Sequence, residues 1–546
     1  MTASTQHRRL SVAMIVQDCA EQVAATLDSI RDIADEIVVV DTGSSDRTRD
    51  IVRPRASRLV DFIWNDSYSA ARNTALQHVG GDWVLWLEAG ESMTPAMAAR
   101  LRAFVDGEAD PQQAYLLTIQ TPSTTEQLSG EQHAAIRLHP RQNNLLFEGR
   151  VRETLRRSLA ESGIEVALTA LNIQFAPKIP LSKDQIHHKA QRQLRLAAIE
   201  LQGNGRNPAT LLAMADALIA LGETQKAIEC YGQALQCAPR QSTSMLEGYY
   251  GLLAALDHIP TALDKQISLC ATGLEIWPFD AQLLCAMGSY LQKQGRTDLA
   301  CRAFEAAANH GQIDPQTTHL SDIGEVATVC RATCLEKLGQ IDAAIAIIEE
   351  AIAAVSDSLR LRRNLLDLCI RHDRRQKALE LADQFPQDAA QRNAMRSAVR
   401  GACLAATANW VPALAYLQTA FGSGCRDAVC MRWLCATYLE TGEPQSAAQL
   451  LEKWKLQDPT NIEISRWEQV TALHLSGDAK PSCPVLPSYT GQPLTAARST
   501  TPASIAAGSP IPTDKNFRVD DRAESLLKST MDAAFKPHQS GKPSGR

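Results

Sequence analysis

An α/β domain, an all-α repeat array and a disordered tail make up the fold class that this chain predicts, and three observations lead there. First, Ile37-Val38-Val39-Val40 runs into the polar turn Asp41-Thr42-Gly43-Ser44-Ser45. Such a run reads as a strand buried on both faces of a parallel sheet. Second, strand-like and helix-like stretches alternate up to about residue 178, the pattern of a doubly wound sheet. Third, Ala and Leu dominate from about residue 190 until the composition turns to Pro, Ser, Thr, Gly and Ala near Ser476. A chain of 546 residues is too long for one core, so several units are required.

Taken in order, Leu10–Val16 predicts a first strand, Glu21–Ile30 a helix, and Glu36–Asp41 the central strand. A short helix over Asp46–Val52, a third strand over Leu59–Trp64, a Ser-capped helix over Ser69–His78 and a fourth strand over Trp83–Leu87 follow. After Pro95 the pattern changes to strands with long connections: Ala114–Gln120, Ala135–His139, Leu146–Val151 and Leu168–Phe175.

Asp41 stands at the carboxyl end of a buried strand, the edge at which open α/β sheets bind ligands. Its carboxylate is a candidate contact for a nucleoside or a metal; capping of the next helix, with Asp46, is the alternative. Glu88, with Glu91 close behind, ends the fourth strand in the same way. Acidic groups at two strand ends suit a nucleotide base at one point and a metal-bound diphosphate at the other, oxygen being the ligand that Mg²⁺ or Mn²⁺ needs. For Glu91, an acidic position near the helix start at Thr94-Pro95 is the alternative.

The blocks Met14-Ile15-Val16, Asp35 to Thr48, Trp64-Asn65-Asp66, Ser69-Ala70-Ala71-Arg72-Asn73, and Gly81 to Leu87 resemble, in order and spacing, the family 2 glycosyltransferases of the GT-A fold. The resemblance continues through Ile136-Arg137-Leu138 and Phe147 to Glu153. It implies that Asp41 contacts the base of a sugar nucleotide and that Arg72 and Asn73 lie on the nucleotide side of the pocket. It also implies a divalent cation, Mn²⁺ or Mg²⁺, on the diphosphate, with Glu88 and Glu91 as its candidate ligands. Three positions depart from the family: Gly90 replaces the second acid of an aspartate-any-aspartate pair, Arg152 replaces a histidine, and Phe175 replaces a later one. Glu153 is the candidate general base, a salt bridge to Arg150 or Arg152 being its other reading.

Lys183–Gly203 reads as a connecting helix. Beyond it, Ala215, Leu218, Gly222, Ala227, Tyr231, Ala234 and Pro239 match the tetratricopeptide template, and the frame returns at Gly288 to Ala307 and Ala332 to Ala351. About seven units with a period near 34 residues are expected. They would stack into a superhelix whose concave face takes a protein or peptide partner, a spacer or dimerisation surface being the other option. The division is therefore a GT-A-type domain over 1–178, a linker over 179–207, tetratricopeptide repeats over 208–475 and a disordered tail over 476–546. Ala523–Phe535 could form a short amphipathic helix within the tail.

A formal net charge of −6 argues against nucleic acid as the main partner. Twelve of the fourteen cysteines, from Cys230 to Cys435, fall in helical text, where free Cys acts as a small hydrophobe. Cys425, Cys430 and Cys435 lack the paired spacing of a zinc site. The expectation is a reducing, cytoplasmic setting, with Leu10–Val16 too short for a leader and no transmembrane segment. By resemblance the function is inverting transfer of a sugar from a nucleoside-diphosphate donor to an acceptor. The competing expectation is a non-catalytic scaffold whose repeats bind partners.

Overall fold

The computed structural model describes residues 7–122, 129–176, 182–204, 207–259, 262–385, 389–458 and 461–476. The tail segment Ala523–Phe535 lies outside them. The sheet domain runs β1 Leu10–Val16, α1 Val23–Ile30, β2 Glu36–Asp41, α2 Thr48–Val52, β3 Arg58–Asp61, α3 Tyr68–His78, β4 Trp83–Trp86, β5 Glu91–Ser92, α4 Pro95–Gly107, β6 Gln113–Thr121, β7 Glu131–Pro140, α5 Arg156–Glu161 and β8 Glu165–Phe175. A long helix, α6 Lys183–Asn204, leads to helix pairs stacked in sequence. These are α7 Pro208–Ala220 with α8 Thr224–Cys237, α9 Thr243–Leu256 with α10 Leu263–Ile276, and α11 Ala281–Lys293 with α12 Thr297–His310. After a short strand, β9 His319–Leu320, come α13 Ile323–Lys337 with α14 Ile341–Ala354, α15 Leu359–Arg371 with α16 Arg375–Ala382, α17 Ala389–Ala406 with α18 Trp410–Gly422, α19 Ala428–Glu440 with α20 Pro444–Gln457, and a final α21 Ile462–Ser476.

The sheet order is β3-β2-β1-β4-β7-β6-β8-β5, with β9 added beside β7. Strands β1 to β4 are parallel, in a register that sets Val16 beside Asp41, and β7 turns antiparallel against β4. Alternate residues feed different cores. Val12, Met14, Ile37, Val39 and Leu85 pack under α1 and α4, whereas Ala13, Val38, Val40, Val84 and Trp86 pack under α3. Both faces are thus covered, which is why the central strands are apolar at every position rather than at every second one.

Four features differ from the sequence expectation. Thr94 caps a 13-residue helix, α4, with Pro95 at its first position, where long connections were expected. Its buried Ala98, Leu101 and Val105 recur at helical spacing. Leu146–Val151 forms no strand beyond one bridge between Glu148 and Thr154, because Gly149 at φ +92° and Arg152 at φ +48° turn the chain. The third strand stops at Asp61, leaving Ile63 93% exposed. The cap of α3 is Ser67, whose oxygen accepts from the Ala70 N–H, rather than Ser69.

In the repeats, the turn between paired helices uses the left-handed conformation expected of its glycine. Gly222, at φ +79°, follows the C-cap of α7. The connection between α12 and α13 is longer than its counterparts, and it crosses back to the sheet. Its β9 pairs Gln132 with His319 and Glu131 with Leu320, the Ala134 N–H donates to Pro315 O at 2.5 Å, and Gln132 Nε2 lies 3.1 Å from His319 Nε2. The repeat array and the sheet therefore share backbone hydrogen bonds. No helix among the described residues is long and apolar enough to cross a membrane.

Candidate active site

Strand order reverses at β1, with β2 and β3 on one side and β4 on the other, and a crevice opens at the carboxyl ends of β1 and β4. It encloses about 870 Å³. One wall is the turn Gln17-Asp18-Cys19 after β1; Glu88 and Ala89 after β4 form the floor beside Arg72, and Glu153 closes one side. Asp18, at φ +46°, fixes the first wall by accepting from the N–H groups of Ser45 (2.7 Å) and Asp46 (3.3 Å), which ties the turn after β1 to the turn after β2. Burial pushes the Cys19 thiol up to about 11, so at neutral pH it is protonated and no nucleophile.

Arg72 is the hub. Its Nε donates to Glu153 Oε1 at 2.7 Å and its Nη2 to Glu88 Oε1 at 3.1 Å, while the guanidinium lies over the rings of Trp86 (5.1 Å) and Phe147 (5.3 Å). Glu88 is shared. Arg137 Nη1 reaches the same Oε1 at 3.3 Å, and Arg137 Nη2 donates to Glu91 Oε1 at 2.5 Å. Burial raises the Glu88 carboxyl, but the guanidiniums of Arg137 and Arg72 outweigh it and hold the group well below the usual carboxylate range. For Glu91 burial is the stronger influence and lifts the carboxyl, against the pull of Arg137.

Behind Arg72, Trp86 Nε1 donates to His139 Nε2 at 3.0 Å, and the other ring nitrogen of His139, 2.8 Å from Pro140 O, must be the one that carries the proton. Both nitrogens are thus satisfied in the neutral ring alone. Burial lowers the pKa of His139 from 6.5 to about 4, the Pro140 carbonyl acting in the opposite sense. Because the folded pKa is depressed, the associated stability is fully present above about pH 6.5 and lost as pH falls toward 4. That loss amounts to about 3 kcal/mol. His139→Gln, which keeps an acceptor and a donor, is expected to flatten this slope in urea melts taken between pH 7 and pH 4. An unchanged slope would place the titration elsewhere.

The other residues expected from sequence lie as follows. Asp41 is 1% exposed at the end of β2, where it accepts from the Ser44 N–H, from Ser44 Oγ at 2.5 Å and from Arg49 Nη1 at 2.8 Å. Asp46 takes the capping part, accepting from the Thr48 N–H. Asn73 points away from the crevice and clamps Phe147, its Nδ2 donating to the carbonyl at 2.9 Å and its Oδ1 accepting from the N–H at 2.8 Å. Glu91 lies behind Glu88, 1% exposed, with Oε2 accepting from the Glu88 N–H. Glu153 pairs with Arg72 and not with Arg150 or Arg152. Arg152 instead crosses to the repeats, bonding Asp216 of α7 at 2.7 Å and Glu247 of α9 at 2.5 Å. Phe175 faces Gly90 across the β5–β8 pairing.

Sequence reasoning missed two participants. Arg137 sits in β7, far along the chain from Glu88 and Glu91, and no local pattern marks it as their partner. Helix α6 was a connector only, yet Gln185, His188, Lys189, Arg192 and Gln193 line the crevice. Their recurrence at intervals of three and four residues, which sets them along one side of the helix, was the available signal.

The donor set does not fit a divalent ion as it stands. Glu88 accepts from two guanidiniums on one oxygen, Glu91 is covered, and Gly90 offers no ligand. No three His, Cys, Asp or Glu side chains among the described residues gather where they could hold a metal ion.

Residues 11–148 match the model of glycosyl transferase family 2, and residues 210–245 match a tetratricopeptide repeat model. The first match covers Asp18, Asp41, Arg72, Glu88 and Arg137, leaving Glu153 and α6 just beyond it. A TPR repeat-containing protein of Synechococcus elongatus is 41% identical over 98 residues, 18% of this chain and 24% of that protein. An uncharacterized glycosyltransferase of Rickettsia bellii is 28% identical over 87 residues, 16% of this chain and 29% of the relative. The chain thus spans about a quarter of the length of these curated relatives. Among solved structures, a mannosyltransferase from Pyrobaculum calidifontis in complex with GDP-Man and Mn²⁺ is 20% identical, with a TM-score of 0.28, covering 46% of this chain and 87% of its own.

Proposed function

We propose that this chain transfers a sugar, with inversion, from a nucleoside-diphosphate donor to an acceptor hydroxyl, and that its repeats hold the acceptor or a protein partner at the crevice. The observation that carries this reading is the position of Glu153. It is a carboxylate held by Arg72 on the wall of a large crevice at the reversal point of the parallel strands, within a stretch whose sequence matches glycosyl transferase family 2 up to residue 148.

In the proposed step Glu153 accepts the proton of the acceptor hydroxyl as that oxygen bonds to the anomeric carbon. The bond from the anomeric carbon to the phosphate oxygen breaks, and the nucleoside diphosphate leaves with the electron pair. Asp41 would receive an N–H of the base. Arg49 can release it, because its Nη1 is also paired with Asp61, a 72% exposed carboxylate that remains as a partner. The repeats are held next to this chemistry by Arg152, the neighbour of Glu153, through its bonds to α7 and α9. That supports delivery of an acceptor by the array.

Titration calorimetry with sugar nucleotides of different bases tests the reading. One of them is expected to bind, and Asp41→Ala to weaken it by at least tenfold, about 1.4 kcal/mol. If the wild-type chain binds none, transfer is ruled out and the scaffold reading stands.

A further inference from the structure

We propose that the donor's diphosphate is held in this chain by side chains of helix α6, the cations Lys189 and Arg192 with His188 beside them, so that nucleotide binding needs no divalent metal. This rests on the sugar-nucleotide reading above and specifies the chemistry of its phosphate subsite.

Two observations converge. On the β4 side of the crevice, the carboxylate that would face a metal is spent: Glu88 Oε1 accepts from both Arg72 and Arg137. A second ligand cannot simply be supplied at Gly90. Its φ is +96°, and a Cβ there would meet Gln22 Oε1 at 3.0 Å and Phe175 Cζ at 3.5 Å. A side chain at that position is therefore both strained and crowded.

On the facing wall, α6 presents His188, Lys189 and Arg192 within one helical turn. Arg192 is preorganised. Its Nη1 donates to Gln17 Oε1 at 2.9 Å, and its guanidinium lies 4.6 Å from the ring centre of Trp64 and 5.5 Å from that of Tyr68. Those contacts are all with neutral groups, so the positive charge of Arg192 is not matched by them. The carboxylates Glu88 and Glu153, by contrast, each face an arginine, Arg72 being shared between them. A stacked guanidinium on one wall, facing acids that arginines already engage, suits an anion, and its planar fork matches phosphate oxygens. Residues of the sheet would hold the base and residues of α6 the phosphates, which makes the helix part of the donor site and not a linker.

The experiment uses the full chain and a panel of UDP, GDP, CDP and dTDP, titrated in EDTA and again in Mn²⁺. The expected result is a dissociation constant that agrees within about threefold between the two conditions for the nucleotide that binds. Lys189→Gln with Arg192→Gln should raise it at least tenfold in both. The charge-keeping variant Lys189→Arg, with Arg192 unchanged, should stay within about threefold of wild type, which separates loss of charge from loss of fold. Binding seen only with Mn²⁺, or binding indifferent to the Gln pair, overturns the metal-free site while leaving the sugar-nucleotide reading intact. Absence of binding in both conditions overturns that reading and this one with it.

Discussion

Arg72→Met is expected to destabilise the sheet domain by about 3 kcal/mol, the larger part of it from a carboxylate left without its cation. The side chain of Arg72 is 8% exposed and joins Glu153, itself 14% exposed, to Glu88. Glu88 keeps Arg137, whereas Glu153 loses the guanidinium that faces it. Met fills the slot over Trp86 and Phe147, so most of the packing is retained and the loss is chiefly electrostatic. Removing both partners should restore much of the loss, since a buried pair replaced by neutral groups of similar volume is often nearly neutral. Urea melts of Arg72→Met, Glu153→Gln and the double variant form a cycle with an expected coupling of about 1–3 kcal/mol. Strict additivity would show that Arg72 acts through stacking alone.

Glu153→Gln is expected to lower the rate of donor cleavage by roughly 10²–10⁴-fold, the range over which general bases contribute. The substitution leaves an amide oxygen to accept from Arg72 Nε, so the fold and the nucleotide affinity should change little. A glutamine cannot take the proton. Release of the nucleoside diphosphate from its sugar donor, with water or a supplied acceptor, gives the rate, and calorimetry on the same sample gives the affinity. A wild-type rate in Glu153→Gln would remove this residue from the chemistry. A parallel loss of affinity would assign it to holding the donor instead.

Several features of the sheet edge are legible in the sequence. The run through Val38-Val39-Val40 requires a strand covered on both faces, and a polar residue directly after such a strand must emerge at the sheet edge. Asp41 and Glu88 were found on that ground, and the structure brings both to the carboxyl ends of their strands. The tetratricopeptide template was equally legible, because close helix approach demands small residues at fixed intervals, and Gly222 takes the left-handed turn expected of it. The role of Asn73 was not legible. Its neighbour Arg72 faces the crevice while Asn73 clamps the Phe147 backbone, a division that depends on where residues 74 positions along the chain come to rest.

By itself the sequence determined the class of each unit and the edge of the sheet at which the crevice opens, since both follow from periodicities of two and 3.6 residues and from strand ends, all local properties. Only the tertiary structure decided what those acids do. Arg137 reaches Glu88 and Glu91 from 49 and 46 residues away, Arg152 reaches Asp216 and Glu247 across 64 and 95, and β9 joins β7 from the middle of the repeats. Pairings at such separations depend on how the units close on one another, and no periodicity records that closure. It converts a connecting helix into the basic wall of a crevice, and a pair of expected metal ligands into the partners of arginines.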